Sequence, residues 1–161
     1  MATTELTGAE EVAWDLSDLY ESPDDPRLDE EVADAERSAV AFRERYHGKV
    51  ASLDAAGLAE AVSERERIES VMDRPLTYAH LNFATNMAEP ARGALVARLQ
   101  EQAAALDTQL LFFALGWAAV EDAAADALLE SNELDHWRHF LHGLRKYRPH
   151  LLSEPEERIL T

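Results

Sequence analysis

Residues 25–48 read DPRLDEEVADAERSAVAFRERYHG, and this stretch decides the fold. Asp25 before Pro26 is a helix start: the carboxylate serves as an N-cap acceptor, and the proline sits where its missing N–H costs nothing. Asp29, Glu30 and Glu31 then fall near the positive end of the helix dipole. Leu28, Val32, Ala35, Ala39, Phe42 and Tyr46 follow at heptad-like spacing, which makes one face apolar, and Gly48 supplies the stop. A chain whose clearest signal is the helical period must bury that face against other helices.

On the N-terminal side, residues 1–13 are polar with no sustained period. Thr7-x-x-Glu10 fits a capping box, but no apolar stripe follows it, so a mobile leader is expected. Trp14-Asp15-Leu16-Ser17-Asp18-Leu19-Tyr20 forms a short apolar cluster, one helical turn closed by Ser22-Pro23.

On the other side, a second helix is predicted from near Asp54 to about Arg74, with the stripe Leu58, Val62, Ile68 and Met72. Pro75 is expected to kink or end it, leaving residues 76–88 as a separate helical piece. Pro90 opens the longest helix, on which Leu95, Leu99, Leu106, Leu110, Phe113 and Trp117 lie within about 60° of one another. Its end, LLFFALGW at 110–117, is apolar almost all round. Such an end is either central in the core or docked against something outside it.

Residues 121–130 read as a short Ala-rich helix. Asn132 should cap another over about 133–146, with Leu134, Trp137, Leu141 and Leu144 on one side, before Pro149 breaks the chain. Ser153-Glu154-Pro155-Glu156 is a capping box opening a helix with Ile159 and Leu160, and it reads as the start of a helix cut short. Nothing reads as a strand, a repeat or a Gly/Ser linker. The expectation is an all-α, bundle-like antiparallel lobe of about six helices with no sheet, spanning 14–152, with 153–161 beginning a truncated helix.

Composition narrows the function. The 161 residues carry 15 Lys+Arg against 32 Asp+Glu, a formal charge of −17, are 47% hydrophobic and include no cysteine. That length supports one domain with its own core. Without cysteine there are no disulfides, thiol nucleophiles, cysteine-ligated zinc or iron–sulfur clusters. The acidity repels phosphate backbones and anionic lipid, so neither nucleic acid nor a membrane is an expected partner. No run of about 18 apolar residues spans a bilayer, the N-terminus carries no secretory pattern, and a cytoplasmic protein is expected.

The chemistry-bearing residues are few. A helical zinc peptidase needs His-Glu-x-x-His, in which two histidines one turn apart share a metal and the Glu activates water. None of the six histidines here is followed by Glu. His136, His139 and His142 form an H-x-x-H-x-x-H run, but they project opposite Leu134, Leu141 and Leu144 and read as solvated. Glu44/His47 and Glu133/His136 have the Glu-x-x-His spacing of di-iron bundles, yet Glu44 and His47 point away from the Leu28/Val32/Phe42 stripe. The acid pairs Glu10/Glu11, Glu30/Glu31 and Glu156/Glu157 read as solvated or helix-start charges. Trp14, Trp117 and Trp137 read as core anchors, His80 as an ordinary helical histidine, and His150 as a capping or packing residue. No residue is assigned a catalytic, cofactor-binding or metal-binding role.

Two blocks carry a resemblance. Trp14-Asp15-Leu16-Ser17-Asp18-Leu19-Tyr20 resembles the W-[DN]-L-[ST]-x-L-[FY] opening of oligoendopeptidase F-like zinc metallopeptidases. Arg145 to Glu157, RKYRPHLLSEPEE, resembles their R-x-x-x-P-H-x-L-S-x-x-E-E stretch, and Tyr78-Ala79-His80-Leu81 through Thr85-Asn86 is a weaker match between them.

The resemblance implies an N-terminal helical lobe that packs over a catalytic domain absent here and walls in a cavity for short peptides. The family's zinc ligands and catalytic Glu lie in its His-Glu-x-x-His region and a later Glu, so zinc belongs to the parent enzyme and this segment alone is inactive. On this reading LLFFALGW docks on the missing domain, and the isolated segment self-associates through exposed apolar surface. The rival readings are a free-standing interaction domain that uses Leu110–Trp117 and, behind it, the di-iron bundle.

Overall fold

The computed structural model describes residues 14–160, and within them every regular element is helical. The leader expected at 1–13 lies outside the described residues, as does Thr161. Six α-helices follow in order: α1 Pro26–Tyr46, α2 Ala55–Thr85, α3 Pro90–Ala118, α4 Asp122–Leu129, α5 Arg138–Lys146 and α6 Glu154–Leu160.

Helix α1 forms as its sequence dictates. Asp25 caps it by accepting from the Arg27 N–H at 3.0 Å. Gly48 takes the left-handed conformation, φ 75°, just past its end, where a side chain would be strained. The six stripe residues Leu28, Val32, Ala35, Ala39, Phe42 and Tyr46 are all buried.

Helix α2 departs from expectation. It does not end near Arg74 but runs through Pro75 for 31 residues, taking in most of the segment read as a separate piece. The proline forfeits a backbone bond to the Val71 carbonyl, a cost of roughly 3 kcal/mol in an exposed helix interior. Ile68, Met72, Pro75, Tyr78, Ala79 and Asn82 nevertheless form one continuous buried stripe across it. Burial along that stripe outweighs the lost bond, a tertiary effect that no local rule registers.

Cross-links fix the direction of the three long helices. Arg74 of α2 donates to Glu31 of α1 at 2.9 Å and Arg45 of α1 to Glu60 of α2 at 2.5 Å, so α1 and α2 run antiparallel. Arg98 of α3 reaches Asp29 and Gln102 reaches Glu36, while the Phe112 ring meets that of Phe42 at a tilt further along. Helix α3 is therefore parallel to α1, and the three form an up-down-up core.

The LLFFALGW end of α3 lies inside that core. Phe42 sits 5.5 Å from Phe112 and 6.0 Å from Phe113, ring centre to ring centre. Trp117 is fully buried and donates its indole N–H to the Leu141 carbonyl at 2.8 Å. Leu110, Phe112, Phe113 and Trp117 of this run are buried within the lobe, while Leu111, Ala114, Leu115 and Gly116 keep part of their surface exposed.

Helix α4 leaves α3 at 103°. The helix expected over 133–146 with Asn132 as its cap is instead a 3-10 turn at Asn132–Leu134 followed by α5, and Ser131 provides the cap by accepting from the Glu133 N–H. Tertiary anchors impose this break. Leu134 is fully buried, the Trp137 indole N–H donates to Glu66 at 3.0 Å, and Arg138 Nε donates to the Leu129 carbonyl at 2.6 Å.

Of the three tryptophans read as anchors, only Trp117 is fully so. Trp137 packs half-buried at the core's edge and Trp14 is 61% exposed. Among the described residues no single helix is long and apolar enough to cross a membrane.

Candidate functional site

The residues weighed as ligands do not converge. His136, His139 and His142 are all exposed on the outer side of α5 and the turn before it. Glu44 is exposed, and its partner in the Glu-x-x-His spacing, His47, places Nε2 3.0 Å from Glu154 Oε2 instead. Glu133 and His136 stay at the surface. Among the described residues no three His, Asp or Glu side chains are grouped so as to hold a metal ion.

The two sequence blocks have clear structural work. In the first, the Asp15 carboxylate accepts from the Ser17 N–H at 3.0 Å, and the Leu16 carbonyl accepts from Leu19 and Tyr20. This turn drives Tyr20 into the core, where it meets Tyr78 edge-on at 5.2 Å. The Tyr20 hydroxyl donates to Glu31 at 2.5 Å, and Arg74 bridges Glu31 and the Leu19 carbonyl. Burial, and then the bond to Glu31, push the Tyr20 phenol well above its ordinary range. Glu31, which the sequence offers as a solvated or helix-start charge, is thus the hub tying this turn to α1 and α2. The adjacent cleft, about 750 Å³ with Trp14 on its rim, contains Arg92, which is committed to the Asn82 carbonyl and side chain and to Glu89.

The second block is a staple. Arg145 donates to the carbonyls of Trp117 at 3.0 Å and Val120 at 2.9 Å, covering the end of α3. It also pairs with Asp122 at 2.5 Å, as Arg148 does at 2.7 Å, and these two guanidiniums hold the Asp122 carboxyl below the usual range. Pro149 and His150 form a 3-10 turn, Arg148–His150. Glu156 accepts from the Ser153 N–H at 2.9 Å, one half of the predicted capping box, while the Ser153 hydroxyl donates to the same carboxylate. Leu152 donates its N–H to Glu157 at 2.8 Å.

Helix α6 is then pinned to α1. Arg43 donates to Glu154 at 2.5 Å, and His47 meets the other carboxylate oxygen. Burial would raise the Glu154 carboxyl, but Arg43 and His47 together outweigh it and hold it low. Sequence reasoning missed this joint, because its partners lie 111 and 107 residues apart and no local pattern links them.

Beyond the staple the apolar surface changes. Tyr147, Leu152, Ile159 and Leu160 are all exposed, the last two at 84% and 73%.

Comparison with known proteins bears on the same region. The family described as Oligopeptidase F matches residues 117–161, the stretch from the end of α3 through α6. The chain is also 29% identical to Oligopeptidase PepF of Bacillus subtilis (strain 168) over 154 residues, covering 94% of this chain. The likeness is to oligopeptidase F, at its N-terminal part. The chain spans 22% of the length of that relative. No solved structure matches this chain. The oligopeptidase F match thus contains the whole Arg145–Asp122–Arg148 staple and the Glu154 side of the joint to α1, so what the second block encodes is the way α5 and α6 are mounted on the bundle.

Proposed function

We propose that this chain is the N-terminal helical lobe of an oligopeptidase F-type peptidase, packed over a catalytic part that lies elsewhere in a longer polypeptide and limiting access to short peptides. The observation that carries this is the likeness to Oligopeptidase PepF along nearly the whole chain, together with its small share of that relative's length. The lobe contributes a rigid three-helix wall and no reacting group. Zinc, on this reading, is held by residues outside this chain, where the resemblance puts the His-Glu-x-x-His region. A cytoplasmic setting belongs to the same reading, supported by the cysteine-free sequence.

The test is the native polypeptide that carries this sequence, purified from its source. Its mass should far exceed 18.0 kDa, it should contain zinc, and it should cleave short peptides while sparing folded proteins. A native mass of 18.0 kDa with no peptidase activity would overturn the reading. The rival interaction-domain reading relies on Leu110–Trp117, of which Leu110, Phe112, Phe113 and Trp117 are buried in the lobe and Leu111, Ala114, Leu115 and Gly116 are partly exposed.

A further inference from the structure

We infer that the cleft between the turn at 14–23, the end of α2 and the start of α3 is a binding site for a small zwitterion, a free α-amino acid with an apolar side chain, whose carboxylate is received by Tyr78, Asn82 and Arg92. Binding here belongs to this chain's own residues and holds whether or not a longer polypeptide cleaves peptides.

Asn82 lines the cleft and is only 8% exposed, and its Oδ1 accepts from Arg92 Nη1 at 3.1 Å. That bond fixes which way the amide points, because the reverse orientation would set two donors against each other. Asn82 Nδ2 is therefore left buried with no acceptor, an uncommon condition for a polar group inside a folded protein.

Tyr78 precedes Asn82 by one helical turn on the same face of α2, also lines the cleft, and is 3% exposed. Its hydroxyl has no hydrogen-bond partner among the described residues. Burial raises the Tyr78 phenol, against the pull of Arg92, so at neutral pH it keeps its proton and has it to donate. Arg92 uses Nε on Glu89 and Nη1 on Asn82 and Thr85, which leaves Nη2 without a partner among the described residues.

Three unmatched donors, one of them on a cation, thus belong to side chains lining one cavity, and a carboxylate supplies the acceptors they lack. The other wall selects the rest of the ligand. Asp15 and Glu21 stand on the turn, where they repel a more highly charged anion such as phosphate and attract an ammonium. Leu16 and Pro23 add apolar surface beside them. The ligand that answers both walls carries a carboxylate, an ammonium and an apolar body, and a cavity of about 750 Å³ has room for it.

The experiment titrates the intact polypeptide by calorimetry with L-phenylalanine, with L-phenylalaninamide, which lacks the carboxylate, and with 3-phenylpropanoate, which lacks the ammonium. L-phenylalanine should bind at least about tenfold more tightly than either analogue. Tyr78→Phe keeps the ring and removes the donor, and it should weaken binding about tenfold. Glu21→Gln, on the exposed turn, should weaken it about threefold, and His80→Ala, outside the cleft, should leave it unchanged. Melting temperatures of the variants are followed in parallel, and Glu21→Gln decides the matter if Tyr78→Phe does not fold.

An absence of binding up to millimolar L-phenylalanine would overturn the inference, as would an amide that binds as well as the acid. Binding that survives both cleft substitutions at wild-type strength would place the amino acid elsewhere in the polypeptide and overturn it too. A polypeptide that cleaves no peptide would sink the peptidase reading and leave the titration to decide the cleft.

Discussion

Glu31 shows how much a single side chain can carry once the chain is folded. The sequence offers it as one of two adjacent acids in a helix's first turns, yet it receives the Tyr20 hydroxyl and the Arg74 guanidinium together. Tyr20→Phe keeps the ring and removes the donor, so it should lower unfolding stability by about 1–2 kcal/mol, read as a shifted urea midpoint with unchanged slope. Glu69, half-buried on α2, behaves oppositely to Glu154. Burial raises its carboxyl, against the pull of Arg65 and with help from Asp107, Asp73 and Glu66. A raised carboxyl binds a proton more readily folded than unfolded, so its contribution to stability improves as pH falls toward the ordinary carboxylate range and worsens above it. Glu154 and Asp122, both held low, contribute stability above the ordinary range and lose it only under stronger acid. Denaturation midpoints measured across mildly acidic pH should therefore show a flatter slope in Glu69→Gln, which removes the titration while keeping an acceptor for Arg65. A slope unchanged by the substitution would mean that the group does not titrate above its usual range.

At the scale of elements, the helices were legible wherever cap and stripe agreed. Helix α1 was read from Asp25 to Gly48 with all six buried positions, because a carboxylate cap, an N-terminal proline and a periodic stripe point to one answer. Pro75 misled because the local rule sees the lost N–H and not the buried stripe continuing past it. Pro75→Ala restores that donor at the expense of the ring's contacts. It should raise the melting temperature, by less than the roughly 3 kcal/mol seen in exposed helices would give. A lower melting temperature would show that ring packing dominates. Gly116 on α3 is a tighter constraint: a Cβ there would lie 2.9 Å from the Val50 Cβ in the 3-10 turn Val50–Ser52. Gly116→Ala gains helix propensity of about 1 kcal/mol but must push that turn away, and overpacking of this kind costs typically 1–3 kcal/mol. Net destabilisation by calorimetry is the expected outcome.

At the scale of the whole molecule, the joint between Glu154 and the pair Arg43/His47 ties the last helix to the first. Glu154→Gln keeps the shape and removes the charge, so α6 should loosen without melting the bundle. Proteolytic nicking within 147–160 should accelerate several-fold while the global melting temperature moves little. Equal protection in the variant would mean that α6 is held by its packing on α3 alone. The molecule separates into a closed three-helix core and a mounted C-terminal segment, and the likeness to oligopeptidase F spans both.

The sequence by itself determined the helical class, most caps and stripes, and the two blocks that carry the family likeness, because all of these are local: a period, a cap, a spacing. It also established that no His-Glu-x-x-His lies in this chain. Only the tertiary structure decided that Phe112, Phe113 and Trp117 are buried in the core, that Pro75 lies within one long helix, and that Trp14 stays at the surface. It alone brought Glu31 to Tyr20 and Arg74, and Glu154 to Arg43 and His47. The physical reason is common to these cases. Burial and ion pairing between residues tens to a hundred positions apart act with energies that match or exceed local preference, and they exist only once the helices have packed.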